Sequence, residues 1–441
     1  MKKFLFSLPI KTYYHQFKSA GRRLFLQLLT LSLCLVFLSS CQNSLPNSKV
    51  IHLTLWQGIN PPISRDVFQR LVAKFNKTHS DIQVDSIFTL GSGLALPKIF
   101  TAVAGNSPPD ILVNSPQLTG QFVELDAVVS LQDWWDKSPL KNEVFPNLLD
   151  ELKLDGQLWS IPLYTSNVGI LYRADLFKAA GITQPPKTWQ ELREVAKKLT
   201  LDKNGDRRTD QYGILLPLGK EEWTVFTWFP FLLNAGGEIL TNNQPNLTNT
   251  GAINALKFWE TLLKDGSATL SPPERGYEED AFFAGRVAMQ ITGPWSYITK
   301  SKVDFGAFPI PADVNYATVT GTGDLFVMKT TPEREKAALK FLEFVLSEEF
   351  QTEWAIGTDF LPVNIKSAQS PAYQEYLKQK PWLKVFIDQI PRAKYRPVIA
   401  RYSRISDSLG RAIESTLLGK STTEQALKAA QERAELIWNR E

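Results

Sequence analysis

The stretch Val50–Asn76, VIHLTLWQGINPPISRDVFQRLVAKFN, decides the fold class. Ile51, Leu53 and Leu55 alternate with His52 and Thr54 ahead of Trp56, the period of two that a pleated strand imposes on its two faces. Ser64 then opens a run in which Val67, Phe68, Leu71, Val72 and Phe75 recur at helical spacing and make one face apolar. Strand followed by helix is a βα unit.

The same alternation continues outward. Asp81–Phe88 has strand periodicity, Lys98–Ala104 is helical, and Gly105-Asn106-Ser107-Pro108-Pro109 breaks the chain before the short apolar strand Asp110–Val113. Strands alternating with helices predict an α/β protein with a mostly parallel sheet, whose ligands collect beyond the carboxyl ends of the strands. The loops Gln57–Asn60 and Asn114–Gln117 lie at two such ends.

Towards the N-terminus, residues 1–40 carry six basic residues and no acid, and Leu24–Leu38 is an apolar run of 15. A membrane-spanning helix needs about 20, so this reads as a secretory leader. Leu38-Ser39-Ser40-Cys41 resembles a bacterial lipobox, which makes Cys41 the expected lipid-modified residue and the polar stretch 42–49 a flexible tether. Without the leader the chain has 43 basic against 45 acidic residues, a net charge of −2 instead of +4. That balance offers no basic tract for nucleic acid. The only cysteines are Cys34 and Cys41, so the folded part has no thiol for a disulfide, a metal or a nucleophile. His52 and His79 do not form a metal-ligand pattern; no metal or cofactor is expected. A chain of about 400 residues exceeds what one core usually serves, and two domains are predicted.

Further elements follow from local signals. Leu125–Trp135 predicts a helix, Asp155-Gly156 a turn between short strands, and Thr188–Glu191 a capping box. Asp202–Asp210 has the D-x-N-x-D start of a calcium loop, but Arg207 and Gly213 stand where Gly and Glu are needed, so a solvated turn is predicted. Glu221–Asn234 concentrates Trp223, Phe226, Trp228, Phe229 and Phe231, most of which must be core. Asn249–Asp265 is an amphipathic helix stopped by Gly266. Thr331-Pro332 starts another, Ile405–Leu418 a third, and Ser421 with Glu424 caps the last. Gly321 and Gly323 lack the following glycine and helix of a dinucleotide loop.

In Phe282–Tyr297, FFAGRVAMQITGPWSY, residues Gly285, Val287, Ala288 and Met289 read as a buried strand that Gly293-Pro294 ends, leaving Trp295 beyond its tip. Such an indole is either a ligand platform or a packed turn residue. The run resembles a signature of extracellular solute-binding proteins of the maltose-binding type, the receptors of sugar-importing ABC transporters. Ala102–Ile111, Trp159–Phe177, Phe308–Pro311, Leu361-Pro362-Val363, and Arg396-Pro397 with Tyr402 resemble further family motifs, in the family's order. The resemblance implies two discontinuous lobes joined by hinge strands (the class II periplasmic-binding-protein fold), with residues 50–165 plus 318–361 in the N-terminal lobe and 166–317 plus 362–441 in the C-terminal one. It places ligand contacts at Gln57, Asn60, Asn114, Gln117, Ser166, Asn167, Trp223, Thr224, Trp295, Tyr297, Gly323, Asp324, Arg396 and Tyr402. Of these, Arg396 either faces the cleft or pairs with a surface carboxylate.

The implied function is capture of a neutral sugar, oligosaccharide or glycosylated polyol without chemistry, by a lipid-anchored, monomeric receptor that serves a membrane permease. Glycerol-phosphate receptors share the fold and form one alternative. A glycan hydrolase is another; it needs two carboxyl groups about a scissile bond, and Asp133, Asp136 and Glu278–Asp280 carry no such motif. A sensory or scaffold lipoprotein is a third.

Overall fold

A computed structural model of the chain describes residues 50–89, 92–150, 152–219, 222–272, 278–295 and 303–439. The leader, Cys41, the tether and Tyr297 lie outside the described residues. In chain order the strands are β1 (Ile51–Gln57), β2 (Ile82–Phe88), β3 (Ile111–Asn114), β4 (Lys153–Leu154), β5 (Gln157–Leu158), β6 (Ile161–Asn167), β7 (Gly169–Arg173), β8 (Tyr212–Leu216), β9 (Leu240–Thr241), β10 (Gln244–Pro245), β11 (Ala268–Leu270), β12 (Val287–Thr292), β13 (Phe305–Pro309), β14 (Thr318–Val327) and β15 (Ala393–Lys394).

Two sheets organise the molecule. In the first, β2, β1 and β3 run parallel, as the βα periodicity predicts, and β14 closes on β3 antiparallel while also pairing with β6 and β15. The second has the order β11-β8-β12-β7-β13, with β11, β8 and β12 parallel and β7 antiparallel to both its neighbours, β12 and β13. The expected βα unit is present: helix Pro62–Thr78 buries Val67, Phe68, Leu71, Val72 and Phe75. It begins two residues before Ser64, because Pro62 at the first helical position has a fixed φ and no N–H to satisfy. Phe68 meets Phe350 and Trp354 edge to face, which fixes helix Glu348–Thr358 against it.

Among the described residues, two passages between the sheets run directly from strand to strand. β6 and β7 are separated by Val168 alone, and β13 and β14 by residues 310–317. The stretch after Phe360 stays near the first sheet: Thr165 exchanges backbone hydrogen bonds with Leu361 (3.1 and 2.9 Å), and the Phe145 N–H donates to Val363. Helices Ile365–Gln369 and Pro371–Gln379 pack on Glu348–Thr358, and contact with the second sheet resumes where helix Leu383–Gln389 lies on β13.

Other local expectations change too: the helices expected from Lys98 and Ile405 begin at Ser92 and Tyr402. Leu125–Trp135 is not one helix: residues 125–131 are the gap between helices Thr119–Glu124 and Gln132–Lys137, and only 132–135 are helical. There Val129 donates to Val327 and Leu131 to Leu158, and pairing with strand backbone wins over helix propensity. Gly285 lies in the turn before β12 at φ 68°, not within the strand. The final helix is capped by Thr422 and Gln425, since Ser421 is engaged with Ser415. The caps read at Thr188 with Glu191 and at Thr331 stand, and Asn249, read as the first residue of its helix, is its N-cap. The Asp202–Asp210 turn is held by its own side chains, with Asp202 accepting from the N–H groups of Gly205 and Arg207.

Candidate ligand cleft

The candidate residues fall into an aromatic row, a buried polar cluster, and a set committed to the crossings. The row begins at Trp295, just beyond β12. Its ring lies 5.7 Å from Trp223, which lies 5.8 Å from Phe226, both on the first turns of helix Glu222–Asn234. On its other side Trp295 meets Phe360 at 6.0 Å, and Phe360 meets Tyr164 of β6 at 4.1 Å. Trp295 therefore meets both the rings of helix Glu222–Asn234 and Phe360, which packs on Tyr164 of the first sheet. It is only 8% exposed, so it is a packed residue as well as a candidate platform, and its Nε1–H has no partner among the described residues. Thr224 is buried beside Trp223.

The polar cluster begins where the row ends. The Arg396 guanidinium sits 4.7 Å over the Phe226 ring. Nη1 pairs with the Glu222 carboxylate and Nη2 donates to Gln117 Oε1 at 3.3 Å. The Tyr402 hydroxyl and the Ser406 hydroxyl also donate to Glu222, the former at 2.7 Å. Gln117 in turn accepts from Ser115 and donates to the Arg396 carbonyl. Burial is the largest influence on Arg396 and draws its pKa down, but the charge and hydrogen bond of Glu222 together with those of Tyr402 outweigh it and hold the pKa above its usual value. Burial and the same carboxylate push the Tyr402 phenol well up. Of the two sequence readings of Arg396, a carboxylate partner is what the structure shows; Arg396 is only 6% exposed and the Glu222 side chain is partly open.

The remaining candidates are placed elsewhere. Asn167 is buried, donating to the Phe386 carbonyl (2.7 Å) and accepting from Gln389 (2.9 Å), so it binds the crossing to helix Leu383–Gln389. Ser166 donates to Gly321 across β14 at 2.9 Å. A Cβ on Gly323 would lie 2.7 Å from the Tyr164 ring, so packing within the chain accounts for that glycine. Asp324, fully buried, accepts from Ser160 at 2.7 Å, and burial pushes its carboxyl up to about 6 against the pull of Thr322 and Ser160. Asn114 accepts from the Ser115 N–H and Asn60 donates to Gly58, as turn-forming side chains do. Gln57 accepts from Ile59, while its buried Nε2 has no partner among the described residues. Sequence reasoning missed Glu222, Tyr164, Phe360 and Ser406. Only Glu222 had a local signal, its place directly before Trp223.

A model of the bacterial extracellular solute-binding proteins matches residues 62–352, about two thirds of the chain. The chain belongs to that family. It shares 26% identity with the sn-glycerol-3-phosphate-binding periplasmic protein UgpB of Salmonella paratyphi A, over 89% of this chain and 93% of that one. Among solved structures it resembles the cyclic α-maltosyl-1,6-maltose binding protein of Arthrobacter globiformis (TM-score 0.75, 24% identity, 88% of this chain and 99% of that one). It also resembles UgpB of Mycobacterium tuberculosis in complex with glycerophosphocholine (TM-score 0.78, 21% identity, 88% and 98%). The fold is therefore that of the two-lobed solute-binding proteins, with a sheet in each lobe. As a member, this solute-binding protein is an extracytoplasmic receptor that holds its ligand without transforming it.

Proposed function

We propose that this solute-binding protein captures a neutral polyhydroxylated solute, meaning a disaccharide, a short oligosaccharide or a glycosylated polyol, and delivers it to the permease of an ABC importer. The observation that carries this reading is the row Trp295–Trp223–Phe226, whose partly exposed member, Trp223, has an apolar face for the C–H side of a sugar ring and is backed by the packed rings of Trp295 and Phe226. Residues 50–165 with 318–361 form one lobe and 166–317 the core of the other. Residues 362–379 ride on the first before the chain returns to the second. A ligand that touches both lobes favours the closed form by its differential affinity for that form.

The binding protein is monomeric and is tethered to the membrane through lipid on Cys41. Calorimetry with maltose, trehalose and a glucosylglycerol tests the ligand class: micromolar binding of at least one, with the solute recovered intact, is the expected result. Binding of none of them, or release of a cleaved product, overturns the reading. Cys41→Ala should free the protein from membranes in a bacterial host, and a membrane-bound variant would remove Cys41 as the anchor.

A further inference from the structure

We propose that Glu222 is a specificity-determining residue that occupies the Arg396 guanidinium and so turns the cleft against phosphorylated solutes. This inference rests on the reading of the cleft as the ligand site. A phosphate is typically held by the paired N–H groups of an arginine fork. Here both terminal nitrogens of Arg396 are committed within the chain, Nη1 to Glu222 and Nη2 to Gln117, and Phe226 covers the guanidinium at 4.7 Å.

Glu222 is itself held in position. Three donors converge on its carboxylate, from Arg396, Tyr402 and Ser406, and the last two sit on helix Tyr402–Leu417, so the carboxylate does not depend on the arginine alone for its place. About 44% of the Glu222 side-chain surface is open, against 7% for Arg396. An approaching anion therefore meets the carboxylate before the cation. To reach the guanidinium it has to displace Glu222, which exchanges one anion for another against the same buried cation and adds no new charge pairing. A neutral hydroxyl can instead accept or donate at the edge of the pair without changing its charge.

The test is calorimetry with glycerol 3-phosphate on the wild-type protein, on Glu222→Gln and Glu222→Ala, and on Glu222→Gln combined with Arg396→Gln. The wild type should bind the phosphate no tighter than millimolar. Each Glu222 variant should bind it roughly tenfold tighter or more, the scale of one charge-assisted hydrogen bond, and the added Arg396→Gln should abolish the gain. Glu222→Ala provides the same reading should the amide of Glu222→Gln simply replace the carboxylate in its contacts. Micromolar binding of glycerol 3-phosphate by the wild type overturns the proposal. So does a folded pair of Glu222 variants with no gain, or a gain that survives loss of Arg396. The neutral sugars form a separate arm: wild-type silence towards all of them sinks the proposed ligand class, whereas the phosphate arm alone decides the role of Glu222.

Discussion

Thr318 and Val168, at the two strand-to-strand passages between the sheets, hold each other. The Thr318 hydroxyl donates to the Val168 carbonyl at 2.8 Å and accepts from its N–H at 3.3 Å, and both residues are buried. The backbone of the single residue between β6 and β7 is thereby satisfied by a side chain at the start of β14, where no sheet partner reaches it.

Replacing that hydroxyl by a methyl tests its contribution. Thr318→Val keeps the volume and leaves the Val168 N–H buried without its acceptor, which should destabilise the protein by about 1–3 kcal/mol. Thr318→Ser keeps the hydroxyl and should cost clearly less. Urea unfolding of both variants measures this, and equal losses would show that the methyl, not the hydroxyl, matters.

Asp324 gives stability a pH dependence of unusual sign for a carboxylate. Its folded-state pKa is raised from 3.8 to about 6, with burial the leading cause, so the native state holds the proton more tightly than the unfolded chain does. The contribution is fully present below about 3.8 and is lost as pH rises through 6, a difference of roughly 3 kcal/mol. Asp324→Asn can still accept from Ser160 and removes the ionisation. Relative to wild type it should gain stability progressively from pH 4 to pH 6 and hold that gain above pH 7. A pH-independent difference in unfolding free energy would reject this account.

Gly120 is set by contact with the segment that carries Arg396. A Cβ there would lie 2.2 Å from the backbone nitrogen of Ala400, so helix Thr119–Glu124 can approach that segment only without a side chain. The neighbouring Gln121 bonds Ala400 and Ser403 across the same seam. Gly120→Ala should cost about 1–3 kcal/mol by overpacking, and Gly120→Val more. Melting temperatures unchanged in both would mean the seam is free to move apart.

Trp295 should affect both stability and binding, because it is packed and also stands in the aromatic row. Trp295→Ala should destabilise by about 3–5 kcal/mol for lost burial and weaken binding of a neutral sugar by a further 0.5–1.5 kcal/mol, roughly the contribution of an aromatic contact. Trp295→Phe should recover most of the stability and part of the affinity. Calorimetry on the folded Phe variant separates the two effects, and undiminished affinity there would assign Trp295 to packing alone.

The sequence by itself determined whatever depends on local periodicity and capping. The alternation in Ile51–Leu55 and the helical spacing from Val67 to Phe75 were enough for the βα unit, because burying one face demands that pattern wherever the element lies. Thr188 with Glu191, Asn249 and Thr331 were legible as helix starts for the same reason: a cap is satisfied within four residues. Order and spacing of motifs were also enough to point to the family. Tertiary structure alone decided which polar residues are spent internally. Asn167 and Ser166 are ordinary hydrogen-bonding types in sequence, and only the position of Gln389, Phe386 and Gly321 commits them to the crossings. Glu222 and Arg396 are 174 residues apart. Whether that cation is open to a ligand or already neutralised depends on a contact that no local pattern encodes, since electrostatic energy follows distance in space and not along the chain.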